Sequence, residues 1–229
     1  MLYLIPSFLG EDNPAIISDQ AKLAIQQLDC FVVENAKTAR RFLRAIGYTK
    51  NFDTEVLLLE MDKHHPIPPS KLLEPVLGGR STGIISEAGN PCIADPGFEL
   101  VRFAHQKNIP VIPLVGASSI LMALIASGFS GNQFAFHGYL PIPHADRIKK
   151  IKQLEEQSRR NGPQIFMETP FRNDSLLKDV LQTLNENASL CIACDITLPS
   201  QSIQTKTVKQ WRTQVPELHK RYCVFVLGN

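Results

Sequence analysis

The chain has 229 residues, 44% of them apolar and 20% charged, which is ordinary globular composition with material for one large domain or two smaller ones. A formal charge of +2 is too small to argue for a nucleic-acid partner by itself. Five cysteines without framework spacing point to a reducing compartment, not to a disulfide-stapled secreted fold.

Residues 2–5 (Leu-Tyr-Leu-Ile) read as a buried strand, followed by a loop over 6–14. Residues 1–6 carry no basic n-region and no long apolar segment, so they are not expected to act as a signal peptide. A helix is expected over 18–28, a strand over 31–33, and a helix over 36–46 that stops at Gly47. That helix carries Lys37, Arg40, Arg41 and Arg44, which read either as a solvated face or as part of a phosphate-facing patch. A third strand is expected over 55–60. His64-His65 then sits in a proline-rich loop, where no metal site is expected.

Residues 83–85 are a further buried strand. It ends in Ser86-Glu87-Ala88-Gly89-Asn90-Pro91, a dense turn signal, and Asp95-Pro96-Gly97 follows before a helix over 98–104. Asp95 fits an N-cap there and Pro96 the first helical position. Loops at the carboxyl ends of strands are where open α/β sheets bind ligands, so this loop is the leading site candidate. A strand over 109–114 ends in Val115-Gly116-Ala117-Ser118-Ser119, before a helix over 120–127. Small residues between strand and helix let backbone amides approach a ligand. The window 109–129 is the most apolar in the chain. Pro110, Pro113 and Gly116 break it, so it is read as strand plus helix and not as a membrane span; a cytoplasmic chain is the expectation.

From Phe134 the pattern changes. Residues 134–136 lead through Gly138-Tyr139-Leu140-Pro141 into a basic amphipathic helix carrying Arg147, Lys149, Lys150 and Lys152, closed by Arg159-Arg160. A strand over 164–167 ends at Glu168-Thr169-Pro170, and a helix over 173–184 follows, with Asn173 or Asp174 as its cap. Strands are expected over 189–196, 203–208 and 222–227, with a short helix around Trp211. Cys191 and Cys194 are spaced C-x-x-C, but residues three apart on a strand face opposite ways, so they are not read as a redox pair. No Walker loop, GxGxxG, GxSxG or metalloprotease helix is present. The first half thus reads as βα units with a parallel sheet and the second as a mixed sheet, giving an α/β chain of two domains, 1–114 and 115–229, with a ligand cleft between them.

The blocks Leu2-Tyr3-Leu4-Ile5-Pro6, Ser86 through Pro91 with Asp95-Pro96-Gly97, Pro113-Leu114-Val115-Gly116-Ala117-Ser118-Ser119, Gly138-Tyr139-Leu140-Pro141 and Met167-Glu168-Thr169-Pro170-Phe171-Arg172 occur in this order along the whole chain. Together they resemble the tetrapyrrole methylase superfamily, and within it the branch of ribosomal RNA small subunit methyltransferase I. The resemblance implies a two-domain fold with S-adenosylmethionine as cofactor in the cleft, a homodimer, and methyl transfer to the 2′-oxygen of a cytidine in 16S rRNA. It also implies a cofactor set. Pro6 lies on the cleft floor, and Ser86, Glu87, Ala88, Gly89 and Asn90 line the methionine end. Gly116, Ser118 and Ser119 hold the carboxylate or ribose, and Met167 and Ile192 close over the adenine.

Several blocks depart from the branch. Pro-Thr-Pro-Ile-Gly-Asn becomes Pro6-Ser7-Phe8-Leu9-Gly10-Glu11, and Ala-Glu-Asp-Thr-Arg becomes Val33-Glu34-Asn35-Ala36-Lys37. Ser-Asp-Ala-Gly-Thr-Pro becomes Ser86-Glu87-Ala88-Gly89-Asn90-Pro91, and Gly-Pro becomes Gly116-Ala117. Arg-Glu-Leu-Thr-Lys becomes Cys194-Asp195-Ile196-Thr197-Leu198, and the Gly-Glu before the last strand becomes Arg221-Tyr222. Cofactor blocks are mostly kept and acceptor-side blocks drift. A ribose hydroxyl is a poor nucleophile and benefits from a positioned base, for which Glu34, Glu87 and Glu168 are the candidates. Glu168 as an N-cap and Glu34 as an ion-pair partner are the structural readings of two of them. The basic segment 147–160 favours RNA over a flat tetrapyrrole, which would want an apolar trough; Phe8 and Phe171 are the aromatics available for one. A small-molecule methyltransferase and a non-catalytic cofactor- or RNA-binding relative are the alternatives.

Overall fold

The computed structural model describes residues 1–61, 67–95 and 97–228; His64, His65 and Pro96 lie outside them. The chain forms two compact units, Met1–Ser118 and Ser119–Asn229.

The first unit runs β1 (Leu2–Ile5), α1 (Asp19–Gln27), β2 (Cys30–Val33), α2 (Ala36–Ala45), β3 (Leu57–Glu60), α3 (Pro69–Leu72), α4 (Glu74–Leu77), β4 (Thr82–Ile85), α5 (Phe98–Gln106) and β5 (Val111–Pro113). Its sheet is parallel in the order β3-β2-β4-β1-β5. β2 and β4 are buried at every residue, as central parallel strands covered on both faces must be. Phe31 and Val33 pack with Ile25 of α1 and Phe42 of α2 on one face, while Val32 packs with Val76 and Leu100 on the other. The connections β1–β2–β3 run one way along the sheet and β3–β4–β5 run back, so right-handed crossovers put their helices on opposite faces. α1 and α2 are capped by Ser18 Oγ on the Ala21 N–H and by Asn35 Oδ1 on the Lys37 and Thr38 N–H groups.

Two expectations need correction here. α5 begins at Phe98 with Gly97 at its N-cap, and the Asp95 carboxylate accepts instead from the Cys92 and Gly97 N–H groups at 2.7–3.0 Å. Asp95 therefore ties its own loop and does not cap the helix. β5 is shorter than expected and only half-buried, because it closes the edge of the sheet.

The second unit runs α6 (Ser119–Ala126), β6 (Ala135–Tyr139), α7 (His144–Asn161), β7 (Gln164–Met167), α8 (Asn173–Thr183), β8 (Ser189–Cys194), β9 (Ser202–Thr207), α9 (Val208–Thr213) and β10 (Cys223–Gly228). Its sheet is mixed, in the order β6-β7-β10-β8-β9, with β6 parallel to β7 and the other pairs antiparallel. Phe166 and Phe225 stack at 5.5 Å in the core, and the Trp211 indole N–H donates to Leu190 O at 2.8 Å. Neither Asn173 nor Asp174 caps α8. The Asn173 amide donates to Arg221 O and Asp174 accepts from the Leu218 N–H, so both anchor the segment that leads into β10.

Candidate active site

In a parallel sheet every carboxyl end falls on one edge, and β4, β1 and β5 are neighbours in the order. Their loops are stitched together there. The Ser7 N–H donates to Gly89 O at 2.8 Å, and the Gly89 N–H returns a bond to Phe8 O at 3.1 Å. Ser86 Oγ donates to Gly89 O at 3.2 Å, and the Asn90 side-chain amide reaches Ala117 O at 3.1 Å.

The glycines are required by shape. Gly89 has φ +70°, the left-handed region, and a Cβ on Gly116 would stand 2.1 Å from Pro6 Cβ. Cys92 and Ala94 also have positive φ, at 72° and 61°, a strained conformation that the Asp95 carboxylate, accepting from the Cys92 and Gly97 N–H groups, holds in place. Burial together with the Asp95 carboxylate pushes the Cys92 thiol up to about 11.

Beside these loops lies a cavity of about 120 Å³, lined by Ser7, Phe8, Asp12, Glu34, Ser86 and Glu87 among others. Phe8 meets Phe42 edge-on at 5.0 Å beneath it, and Asp12 is ion-paired to Arg41 at 2.7 Å. Glu34 accepts from the backbone N–H of Glu87 at 3.2 Å, so two of the three candidate carboxylates share one site. Ser7 and Asp12 are not among the expected site residues, and Phe8 is expected only as an aromatic for an acceptor trough. The signal for Asp12 is a tertiary one, since its partner Arg41 lies on α2.

Glu168 belongs to the second unit, 5% exposed, with Oε1 accepting from the Thr169 N–H at 2.7 Å and from Arg172 Nε at 2.9 Å. Oε1 is thus engaged in holding the turn after β7, in line with the structural reading of this residue. Of the remaining expected cofactor residues, Pro6, Ser86 and Gly89 are buried in the first unit. Asn90, Gly116 and Ser118 are half-buried, and Glu87 and Ala88 are exposed. Ser119 opens α6, and Met167 is half-buried at the end of β7. Ile192 is 3% exposed, its side chain in the core of the second unit.

The basic segments are partly committed as well. Arg147 is buried and ion-paired to Asp179, with Nη1 donating to Ile142 O at 2.8 Å, so it is not a phosphate contact. Arg159 pairs with Glu155 at 3.2 Å, while Lys149, Lys152 and Arg160 are exposed along α7. On α2, Arg44 lies over the Phe52 ring at 4.4 Å and Arg40 pairs loosely with Asp53, the behaviour of a solvated helix face tied down locally.

Comparison with known proteins gives the family. Residues 1–211 match the family described as Tetrapyrrole (Corrin/Porphyrin) Methylases. The chain belongs to that family, and it is a methyltransferase. Among named relatives, it is 30% identical to the ribosomal RNA small subunit methyltransferase I of Pasteurella multocida, over 99% of this chain and 78% of the relative. The Haemophilus influenzae enzyme of the same name matches equally, and the Escherichia coli O157:H7 enzyme is 28% identical over 96% of this chain and 73% of its own length. Solved structures share the fold. The methyltransferase CobJ superposes with TM-score 0.64 at 18% identity, over 100% of this chain and 92% of that one. A uroporphyrin-III C-methyltransferase from Thermus thermophilus, crystallised with S-adenosylhomocysteine, superposes with TM-score 0.57 at 14% identity, over 100% and 97%. Among the described residues no helix is long and apolar enough to cross a membrane.

Proposed function

We propose that this enzyme methylates RNA, at the ribose 2′-oxygen of a cytidine or a related site in small-subunit rRNA, acting in the cytoplasm as a homodimer. The observation that carries the reading is the likeness, along nearly the whole chain, to enzymes named ribosomal RNA small subunit methyltransferase I. The methyl donor is S-adenosylmethionine.

The residues of the first unit fit such a donor. Gly116 against Pro6 and the left-handed Gly89 form a cradle with no room for side chains, the form a site takes when the main chain itself meets the ligand. Pro6, Ser86, Glu87, Ala88, Gly89, Asn90, Gly116 and Ser118 are the residues proposed to hold it. Ser119 and Met167 are kept in the proposed set, with the backbone of Ile192. When bound, S-adenosylmethionine supplies a methyl already activated on sulfonium sulfur. What remains for the chain is alignment and exclusion of water, together worth roughly 7–11 kcal/mol. Glu34 and Glu87, joined through the Glu87 N–H, are the carboxylates proposed to take the ribose hydroxyl proton. Lys149, Lys150, Lys152 and Arg160 on α7 supply phosphate contacts in this reading. The exposed Leu121 and Ile125, one turn apart on α6, support self-association.

The test is transfer of label from methyl-labelled S-adenosylmethionine. Small ribosomal subunits, tRNA and a precorrin-type tetrapyrrole are offered in parallel. Label in alkali-resistant dinucleotides of the small-subunit RNA is expected. Label in the tetrapyrrole alone would replace the RNA reading with the small-molecule one.

A further inference from the structure

Two cysteines are not among the residues proposed to hold the donor or take the proton. The C-x-x-C spacing of Cys191 and Cys194 suggests no pair on a strand, and the fold makes a different one. Cys194 ends β8, Cys223 opens β10, and the antiparallel register sets them directly opposite. Their sulfurs are 3.1 Å apart. Cys191 instead has Val226 and Thr205 as its register partners. Directly opposed antiparallel residues have Cα atoms about 4.5–5.5 Å apart, inside the roughly 4.4–6.8 Å that a disulfide spans. The bridge therefore needs no movement of the backbone.

The two thiols are also unequal. The hydrogen bond from the neighbouring Cys223 thiol, helped by the Arg221 guanidinium, draws Cys194 below the usual thiol range against the effect of burial. The same bond and burial push Cys223 up. Of the two sulfurs, Cys194 is the one that gives up its proton more readily. Both are nearly buried, at 2% and 4% exposed, but they lie at the end of their strands, next to the half-exposed Tyr222. A water-sized oxidant is the reagent that suits such a place.

We propose that Cys194 and Cys223 form an oxidation site, a dithiol that hydrogen peroxide converts into a disulfide joining β8 to β10. The Cys194 thiolate attacks one peroxide oxygen, the O–O bond breaks, and the departing hydroxide takes a proton to leave as water. Cys194 is then a sulfenic acid. The Cys223 sulfur attacks the Cys194 sulfur, the S–O bond breaks, and the hydroxyl leaves with the Cys223 proton as a second water. Two thiols lose two electrons and one peroxide gains them. Cys30 and Cys191, raised by burial, and Cys92, raised by burial and Asp95, stay protonated and slower.

The experiment treats the full chain with a small excess of hydrogen peroxide, blocks residual thiols in denaturant, and maps the peptides by mass. The expected result is loss of two of the five thiols. The peptides holding Cys194 and Cys223 are then joined, lighter by two hydrogens than their sum, and dithiothreitol restores them. Cys223→Ser, whose hydroxyl keeps a hydrogen-bond donor beside Cys194 but cannot form the bridge, is expected to stop at a sulfenic acid on Cys194 that dimedone traps. Should that variant not fold, the parent's peptide map decides alone. Reduced Cys194 and Cys223 after treatment, or a bridge between Cys194 and Cys191, would overturn the proposal.

Discussion

In the first unit every strand runs the same way, so the loops after β1, β2, β4 and β5 gather on one edge of the sheet. In the second, β10 runs against both of its neighbours and the loops divide between two edges. The acids follow the topology. In the second unit Asp179, Glu168 and Asp195 are buried, and each meets an arginine: Arg147, Arg172 and Arg221. On the gathered edge of the first unit, Glu34 is half-buried against a backbone N–H and Glu87 is exposed. Parallel strands make a place where several loops can act on one ligand, while the second unit spends its buried carboxylates on arginines of its own helices and turns.

The comparison breaks most visibly if the buried pairs are removed. Asp179→Ala strands the Arg147 guanidinium in the interior and is expected to cost about 3–5 kcal/mol, read as a lowered denaturation midpoint in urea. A loss below 1 kcal/mol would mean that the pair is not buried in solution. Glu168→Gln is likewise expected to lower the melting temperature. Glu87→Gln and Glu34→Gln are expected to leave it unchanged while reducing kcat by roughly 10²–10⁴. If Glu168→Gln kept its stability and lost only turnover, the division between structural and site carboxylates would be reversed.

Much of this division was not legible in the sequence. The order of strands and helices was, because short β-branched runs and amphipathic spacing are local signals. The one-turn helices α3 and α4 were missed, since four residues show no periodicity. Arg147 looked like one more cation of a basic face. What decides its role is Asp179, 32 residues away on another helix. Glu168 and Glu87 look alike as strand-end glutamates, and only the arrangement of Arg172 separates them. The glycine at 116 announced a close approach, but that the neighbour is Pro6 is a property of the β1–β5 pairing.

Smaller effects sharpen the picture. Lys149→Ala with Lys150→Ala is expected to flatten the log–log salt dependence of RNA binding by roughly 0.7–0.9 per lost contact, with donor binding unchanged. An unaltered slope would reduce α7 to a solvated face. His137, hydrogen-bonded to Gln164 at 2.7 Å, has its pKa lowered by burial, with the Lys150 charge pushing the same way. Its unfolded value is the ordinary 6.5, so between the two values the unfolded chain binds more protons. The contribution to stability is complete above that pH and is lost as pH falls through the folded value. His137→Gln should therefore flatten the acid side of the stability–pH curve by a small amount, measured by thermal melts from pH 7 downward.

The central claim is that the gathered loops of the first unit hold the methyl donor. Melting the parent and Gly116→Ala with and without S-adenosylmethionine tests it most directly. The account predicts a rise in the parent's melting temperature that grows with donor concentration. It predicts a folded variant, weakened by about 1–3 kcal/mol where the new methyl meets Pro6, whose melting temperature the donor does not move. A parent curve unshifted at millimolar donor, or a variant stabilised as much as the parent, would contradict it.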